Sequence, residues 1–286
     1  MRRVSTMIVC AAMAGALTMG TARAAAAATD PAAALAAQFQ SAHGVHFTSV
    51  TKFGPGVDLA IRAYGVLQFG SSRVAAADLI GTVDNPMPKA TADALAPAAS
   101  VLGYDLATYA QPFEVITVGH TSYTTGDMVA SRLPSGKHWL TNPSVGGATG
   151  FGGLPADVLD PAQLKKILAS AKGHEPGGVF DGVSTTAYHG SATSDLGPAS
   201  NGKYTYGLSW KLWVGADGLI RRVTSTATVV FTPKKGSAVR VEARTDARLT
   251  EWGDKIWVYA PDSWTTAPAP EIQILPAAPG AAKPRA

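Results

Sequence analysis

The sequence predicts an α+β fold in which a large antiparallel sheet carries a few helices. Residues 183–260 alternate apolar and polar side chains through four or five consecutive segments, as strands with one buried face do. Two other segments, 31–43 and 161–172, show helical spacing behind a capping aspartate. With 286 residues, 46% of them hydrophobic, the chain is long enough for one large domain.

Residues 1–24 are predicted to be a secretory signal peptide and not part of the fold. Arg2 and Arg3 give a basic start, residues 7–19 are an apolar run, and residues 21–24 offer an Ala-x-Ala cleavage site. The run is too short to span a bilayer as a helix. We expect a secreted or cell-envelope protein, with residues 25–30 as a linker and either the general or the twin-arginine export route.

Cys10 is the only cysteine, and it lies inside the predicted leader. The mature chain is therefore expected to have no disulfide, no thiol nucleophile and no cysteine metal site. A lipid anchor on Cys10 is not expected, because Val9 stands where a small residue normally precedes an acylated cysteine.

The leader also accounts for most of the excess positive charge. Removing Arg2, Arg3 and Arg23 from the 24 basic residues leaves 21 to face 20 acidic ones. A balanced chain lacks the one-sided basic surface that nucleic acid requires, so no nucleic-acid partner is expected.

The first half of the predicted domain, 31–264, begins with a helix and continues in strands. Asp30 and Pro31 suit a helix start, and Gly44 suits its end. Strands are predicted at about 57–69 and 73–82, with a turn at 70–72.

Residues 84–112 break this pattern. They are rich in alanine and proline and are predicted to be an insertion, either a flap over the body or a surface loop without a task. Strand then returns at 113–125, with further pieces at 126–133 and 137–140. Asp160 caps the second helix, and Gly173 is predicted to end it.

The last part of the chain is predicted to form a continuous sheet. Its strands are placed at about 179–193, 204–214, 219–231, 238–250 and 255–260. In the fourth strand, Arg240, Glu242, Arg244, Asp246 and Arg248 alternate with apolar residues, which indicates a solvated face. The Pro/Ala-rich residues 265–286 are predicted to be a disordered tail.

No motif in the sequence supplies a catalytic or metal-binding group, and no cofactor is expected. Residues 197–203 have the spacing of a phosphate loop but precede a strand instead of a helix. Residues 49–52 match Ser-x-x-Lys without the companion motifs of that enzyme class. His43 and His46 are three residues apart but lack a nearby carboxylate in the sequence.

The apolar side of the last sheet mixes large residues with alanines, which indicates volume to be filled. A ligand cavity is one interpretation, and close packing of a helix against the alanines is the other. The predicted lining residues are Trp210, Leu212, Val223, Ala227, Val229, Ala243 and Ala247.

Several short motifs resemble those of actinobacterial LolA-like lipoproteins, the LppX- and LprAFG-type lipid carriers. Residues 182–188 match a Gly-Val-x-Thr-x-x-Tyr strand, and residues 212–223 match a Trp-Val hairpin that ends in Gly-Leu-x-Arg-Arg. Residues 251–261 match the closing strand. The likeness covers about 114–264, whereas 31–82 agrees only in the order of elements.

The resemblance implies a strongly curved antiparallel half-barrel with helices packed in its concave face and an apolar cavity for acyl chains. It carries no catalytic residues. The chain departs from the family in lacking an acylated cysteine outside the predicted leader and in containing the 84–112 insertion.

We therefore expect an exported, non-enzymatic protein that binds a lipid or an acylated molecule and makes peripheral contact with a membrane. An envelope sensor or interaction module that binds a protein partner is the alternative. A hydrolase with an unrecognised site is a third.

Overall fold

The α+β prediction is confirmed by a computed structural model, in which one large, curved, open sheet carries helices on one face. The structure describes residues 29–54, 59–84, 88, 90–91, 93–94, 112–130, 133–143, 158–199, 202–234 and 236–268. The predicted signal peptide, the linker up to residue 28 and nearly all of the 84–112 insertion lie outside the described residues.

The elements bounded by described residues are three helices and twelve strands, with a short 3-10 turn at Ser263–Thr265. Residues 90, 91, 93 and 94 are also helical. The helices are α1 (Pro31–Gln38), α2 (Asp127–Ala130) and α3 (Pro161–Ala169). The strands are β1 (His43–Gly54), β2 (Leu59–Phe69), β3 (Val74–Asp84), β4 (Phe113–Val118), β5 (Thr121–Gly126), β6 (Trp139–Pro143), β7 (Gly173–Phe180), β8 (Val183–Ala199), β9 (Gly202–Gly215), β10 (Ile220–Pro233), β11 (Val239–Lys255) and β12 (Thr266–Pro268).

The sheet consists of two meanders joined at its centre. The strand order is β12-β6-β5-β4-β3-β2-β1-β11-β10-β9-β8-β7. Strands β1 to β6 form one meander and β7 to β11 form the other, and the antiparallel pairing of β1 with β11 joins them. Strand β12 pairs with β6 in the parallel direction.

Both predicted helix starts are confirmed. The Asp30 carboxylate accepts a hydrogen bond from the Ala32 backbone N–H at 3.0 Å, and the Asp160 carboxylate accepts one from Gln163 at 2.9 Å. These bonds satisfy amides that have no partner within the helix. A proline follows each cap, where its missing N–H costs nothing.

The predicted helix ends are wrong in both cases. Helix α1 stops at Gln38, Ala42 takes a left-handed φ of 65°, and Gly44 lies in β1 instead of ending the helix. A side chain at Gly44 would come within 2.2 Å of the Leu67 carbonyl oxygen on β2. Similarly, α3 stops at Ala169, and Gly173 begins β7. Strand pairing overrides the local helical preference at both ends.

Four further expectations are corrected. Residues 127–130 of the predicted 126–133 strand form α2. Strand β7 was not predicted, because its Gly and Pro content is typical of a loop. Strand β11 continues to Lys255, and no separate strand follows at 255–260. Residues 266–268 of the predicted disordered tail form β12, and the rest of that tail lies outside the described residues.

The main core lies between the sheet and the helices α1 and α3, which contact each other. Leu35 of α1 and Leu164 of α3 are almost fully buried against strands from both meanders. Phe39 packs edge-on against Phe69 at a centroid distance of 5.3 Å. The indole N–H of Trp252 donates to the Ile220 carbonyl at 2.9 Å. Ile167 and Leu168 of α3 also pack against this core.

Candidate functional site

The seven predicted lining residues all point to the face of the sheet that carries the helices. The strand register places Leu212 opposite Val223, and Val223 opposite Ala247. These three residues and the partly buried Trp210 belong to the core cluster that contains Leu35 and Leu164. At this end of the sheet, helix side chains occupy the space above the small residues.

The other three predicted residues lie further along the same face, beyond a polar belt. The belt includes buried Thr51 and Thr245, whose hydroxyl oxygens are 3.0 Å apart. Past it, Ala227 pairs directly with Ala243 across β10 and β11. Ala243 is buried, whereas Ala227 is only half-buried.

The apolar surface continues past this alanine pair. Val229 pairs with Val241 on one side and Tyr206 on the other, and both valines are buried. Burial raises the pKa of the Tyr206 hydroxyl, because the phenolate is desolvated there. None of these residues belongs to the cluster that contains the helices, so the apolar face has a second region outside the main core.

The opposite face of the sheet carries a cleft of about 710 Å³ across β2, β1, β11, β10 and β9. Its lining includes five cationic side chains and one acidic one. The cationic residues are Lys52, Arg62, Lys211, Arg244 and Arg248, and the acidic residue is Asp246. Four of the five alternating charges of β11 are at least partly exposed, as predicted, and Arg244 exposes 72% of its side chain. Glu242 departs from the prediction, because it is buried and paired with Arg240 and Arg244. Charges of β11 also form the wall of a cleft, which the sequence did not indicate.

The acidic residue of the cleft is already neutralised. Arg222 donates to both Asp246 oxygens, at 2.8 and 2.6 Å, and its guanidinium lies 4.8 Å from the centre of the Trp213 ring. Within the described part of the chain, Lys52 and Arg248 have no acidic partner. The cleft therefore has uncompensated positive charge available for an anionic group.

A carboxylate pair, Asp78 of β3 and Glu114 of β4, lies at another place on this face. Burial raises the pKa of both groups, and the hydrogen bond between them together with the Asp78 charge raises that of Glu114 further. The two residues are far apart in sequence, so spacing gave no signal of the pair.

Exposed aromatic side chains cluster in the segment that follows β11. Trp257, Tyr259 and Trp264 expose 63%, 71% and 69% of their surface. Their exposure could not be predicted from the sequence, because alternation alone does not separate buried aromatic residues from exposed ones. Aromatic residues exposed in this way are typical of membrane-interface and partner-binding surfaces.

Comparison with known proteins gives no family assignment. No family model and no curated protein matches the chain. A solved structure of a DUF1329 family protein from Desulfovibrio piger matches at 13% identity and a TM-score of 0.25, covering 78% of this chain and 92% of that one. The fluorescent protein Supernova matches at 12% identity and a TM-score of 0.13, covering 75% and 97%.

None of the described helices combines the length and apolar character needed to cross a membrane.

Proposed function

We propose that this protein is an exported, non-enzymatic carrier of the cell envelope that binds a hydrophobic ligand, either a lipid or the acyl chain of a lipoprotein. The observation that supports this proposal is the apolar face of the sheet, which continues past the helix-filled core through Ala227, Val229 and Ala243. In this proposal the curved sheet and its helices form a half-barrel of the LolA-like type, with the ligand beside α1 and α3.

Burial alone would hold such a ligand. Apolar surface removed from water contributes about 25 cal/mol per Å², so one long acyl chain gains several kcal/mol without a specific polar contact. We place the chain over Ala227, a half-buried alanine whose small side chain takes up little volume.

Exchange of a lipid requires approach to a membrane, and the exposed aromatic segment suits that contact. Trp257, Tyr259 and Trp264 combine apolar rings with polar atoms, which favours the interfacial region of a bilayer. We propose that this segment makes the peripheral membrane contact.

Two phenylalanine substitutions on the same face test the carrier. Ala227→Phe should fill the ligand region and reduce the lipid that co-purifies with the protein, measured by extraction and mass spectrometry. Ala247→Phe is the matched control: it overpacks the helix-filled core and should mainly lower stability, by about 1–3 kcal/mol. If the native protein yields no lipid, or if Ala227→Phe leaves the bound lipid unchanged, the carrier proposal is wrong.

The basic cleft favours a second candidate, an envelope sensor or interaction module. Unpaired cations at Lys52 and Arg248 suit an acidic segment of a partner protein. This candidate uses the face opposite the proposed lipid region, so each can be tested without disturbing the other.

A further inference from the structure

Three potential metal ligands meet where β11 ends beside β1. The His46 Nε2 atom lies 3.1 Å from an Oε atom of Glu251 and 3.4 Å from an Oδ atom of Asp254. The three ligand atoms all lie within 4.8 Å of one another. In sequence the two carboxylates are about 200 residues from the histidine, so their convergence is produced by the β1–β11 pairing.

A bulge in β11 brings the two carboxylates to the same side. In a regular strand, residues three apart point to opposite faces. Here Gly44 pairs with Asp254 and His46 pairs with Thr250, so a step of two residues in β1 faces a step of four in β11. Left-handed φ angles of 54° at Glu251 and 87° at Gly253 allow the β11 backbone to form this bulge.

We propose that His46, Glu251 and Asp254 form a binding site for a divalent transition-metal ion of the Zn²⁺ class. Zn²⁺ binds histidine nitrogen and carboxylate oxygen at about 2.0–2.2 Å, and at a tetrahedral angle two such ligands are about 3.3 Å apart. The distances of 3.1 and 3.4 Å from the imidazole nitrogen bracket that separation.

A metal ion accounts for the arrangement better than a hydrogen bond alone. The Nε2 atom of an imidazole carries at most one hydrogen, whereas two carboxylates converge on it. One divalent cation would bind the nitrogen lone pair and neutralise both carboxylates together.

The three proposed ligands are exposed to solvent. The side chains of His46, Glu251 and Asp254 are 41%, 61% and 53% exposed. Three protein ligands leave at least one position for water or for an anionic group brought by another molecule. The site therefore has the composition of an open metal centre and not that of a closed structural one.

Metal titration of the protein, purified without a polyhistidine tag and stripped with a chelator, tests the site. Zn²⁺ should bind with one-to-one stoichiometry in calorimetry and raise the melting temperature. Co²⁺ should bind in its place and give visible absorption bands that report the coordination. His46→Ala, Glu251→Gln and Asp254→Asn should each weaken Zn²⁺ binding by more than about tenfold. A tenfold loss is already typical when a residue that only supports a metal ligand is replaced, and these three residues are proposed as the ligands themselves.

His120→Ala is the matched control, because His120 is an exposed histidine in the β4–β5 turn. This variant should bind Zn²⁺ as tightly as the native protein. If the native protein shows neither heat of binding nor a Co²⁺ spectrum, the three residues form only an ion pair. If His120→Ala loses as much affinity as His46→Ala, the metal binds elsewhere. Either result overturns the proposal.

Discussion

Asp78 and Glu114 make the stability of the folded chain depend on pH. Their pKa values are raised above the ordinary 3.8 and 4.5, chiefly because burial disfavours the charged forms. Above these ordinary values the folded state holds protons that the unfolded state has released. Stability contributed by the pair is therefore fully present at lower pH and is lost as the pH rises through the raised values.

Asp78→Asn should reduce this loss, because an amide carries no charge at any of these pH values. We expect the melting temperature of the variant to rise relative to that of the native protein as the pH increases from about 4 to 7. Thermal unfolding across that range measures the difference. Asp84→Asn serves as the control, since Asp84 pairs with Arg62 on the neighbouring strand. A constant difference between Asp78→Asn and the native protein would contradict the expectation.

At the scale of elements, α3 is held by one cap and one deeply buried side chain. Leu164 is fully buried in the core, and Asp160 accepts a hydrogen bond from the first turn of the helix. Packing of an amphipathic face supplies most of the stability of a helix this short. Loss of Leu164 therefore removes core packing, whereas loss of Asp160 removes a capping hydrogen bond.

Leu164→Ala should cost about 2–5 kcal/mol of unfolding free energy, because it leaves a cavity beneath α3. Asp160→Ala should cost only about 0.5–2 kcal/mol, the usual value of a helix cap. Urea denaturation of the two variants measures both values. Equal costs would mean that the core contact of α3 contributes less than its burial indicates.

The sequence predicted those elements whose signals are local. Asp30 and Asp160 mark helix starts because a cap needs only the residues of the first turn. The end of α1 was mispredicted because the pairing of His43 and Gly44 with β11 is decided by residues more than 200 positions away. Strand β7 was missed for a different reason: its pairing with the neighbouring strand β8 outweighs its loop-like composition.

The candidate sites were predictable only in part. The alternating charges of β11 and the alanines of β10 and β11 were visible, because a strand shows both its faces in the sequence. The cleft was not, since Lys52 and Arg62 reach it from β1 and β2. Likewise, His46 appeared to lack a carboxylate until the strand order placed Glu251 beside it.

At the scale of the whole molecule, the basic cleft depends on the junction of the two meanders. It takes Lys52 and Arg62 from one meander and Lys211, Arg244 and Arg248 from the other. A partner that binds there therefore contacts the centre of the sheet and not an edge.

Reversal of the two unpaired charges tests this surface. The double variant Lys52→Glu, Arg248→Glu should weaken binding of a labelled polyglutamate peptide by roughly tenfold or more, since each lost charge contributes on the order of 1 kcal/mol. Fluorescence anisotropy measures it, and added salt should weaken the native interaction in the same way. Arg73→Glu, at the exposed β2–β3 turn, should bind normally. Unchanged binding by the double variant would exclude the cleft as the interaction surface.

The pairing of β1 with β11 also sets when the molecule can form. Strand β1, at the centre of the sheet, is made well before its partner β11. Until β11 emerges from the ribosome, β1 has one unpaired edge and the two meanders lack the strand pairing that joins them. Contacts this distant in sequence form slowly. The order of the strands therefore delays completion of the sheet until late in synthesis.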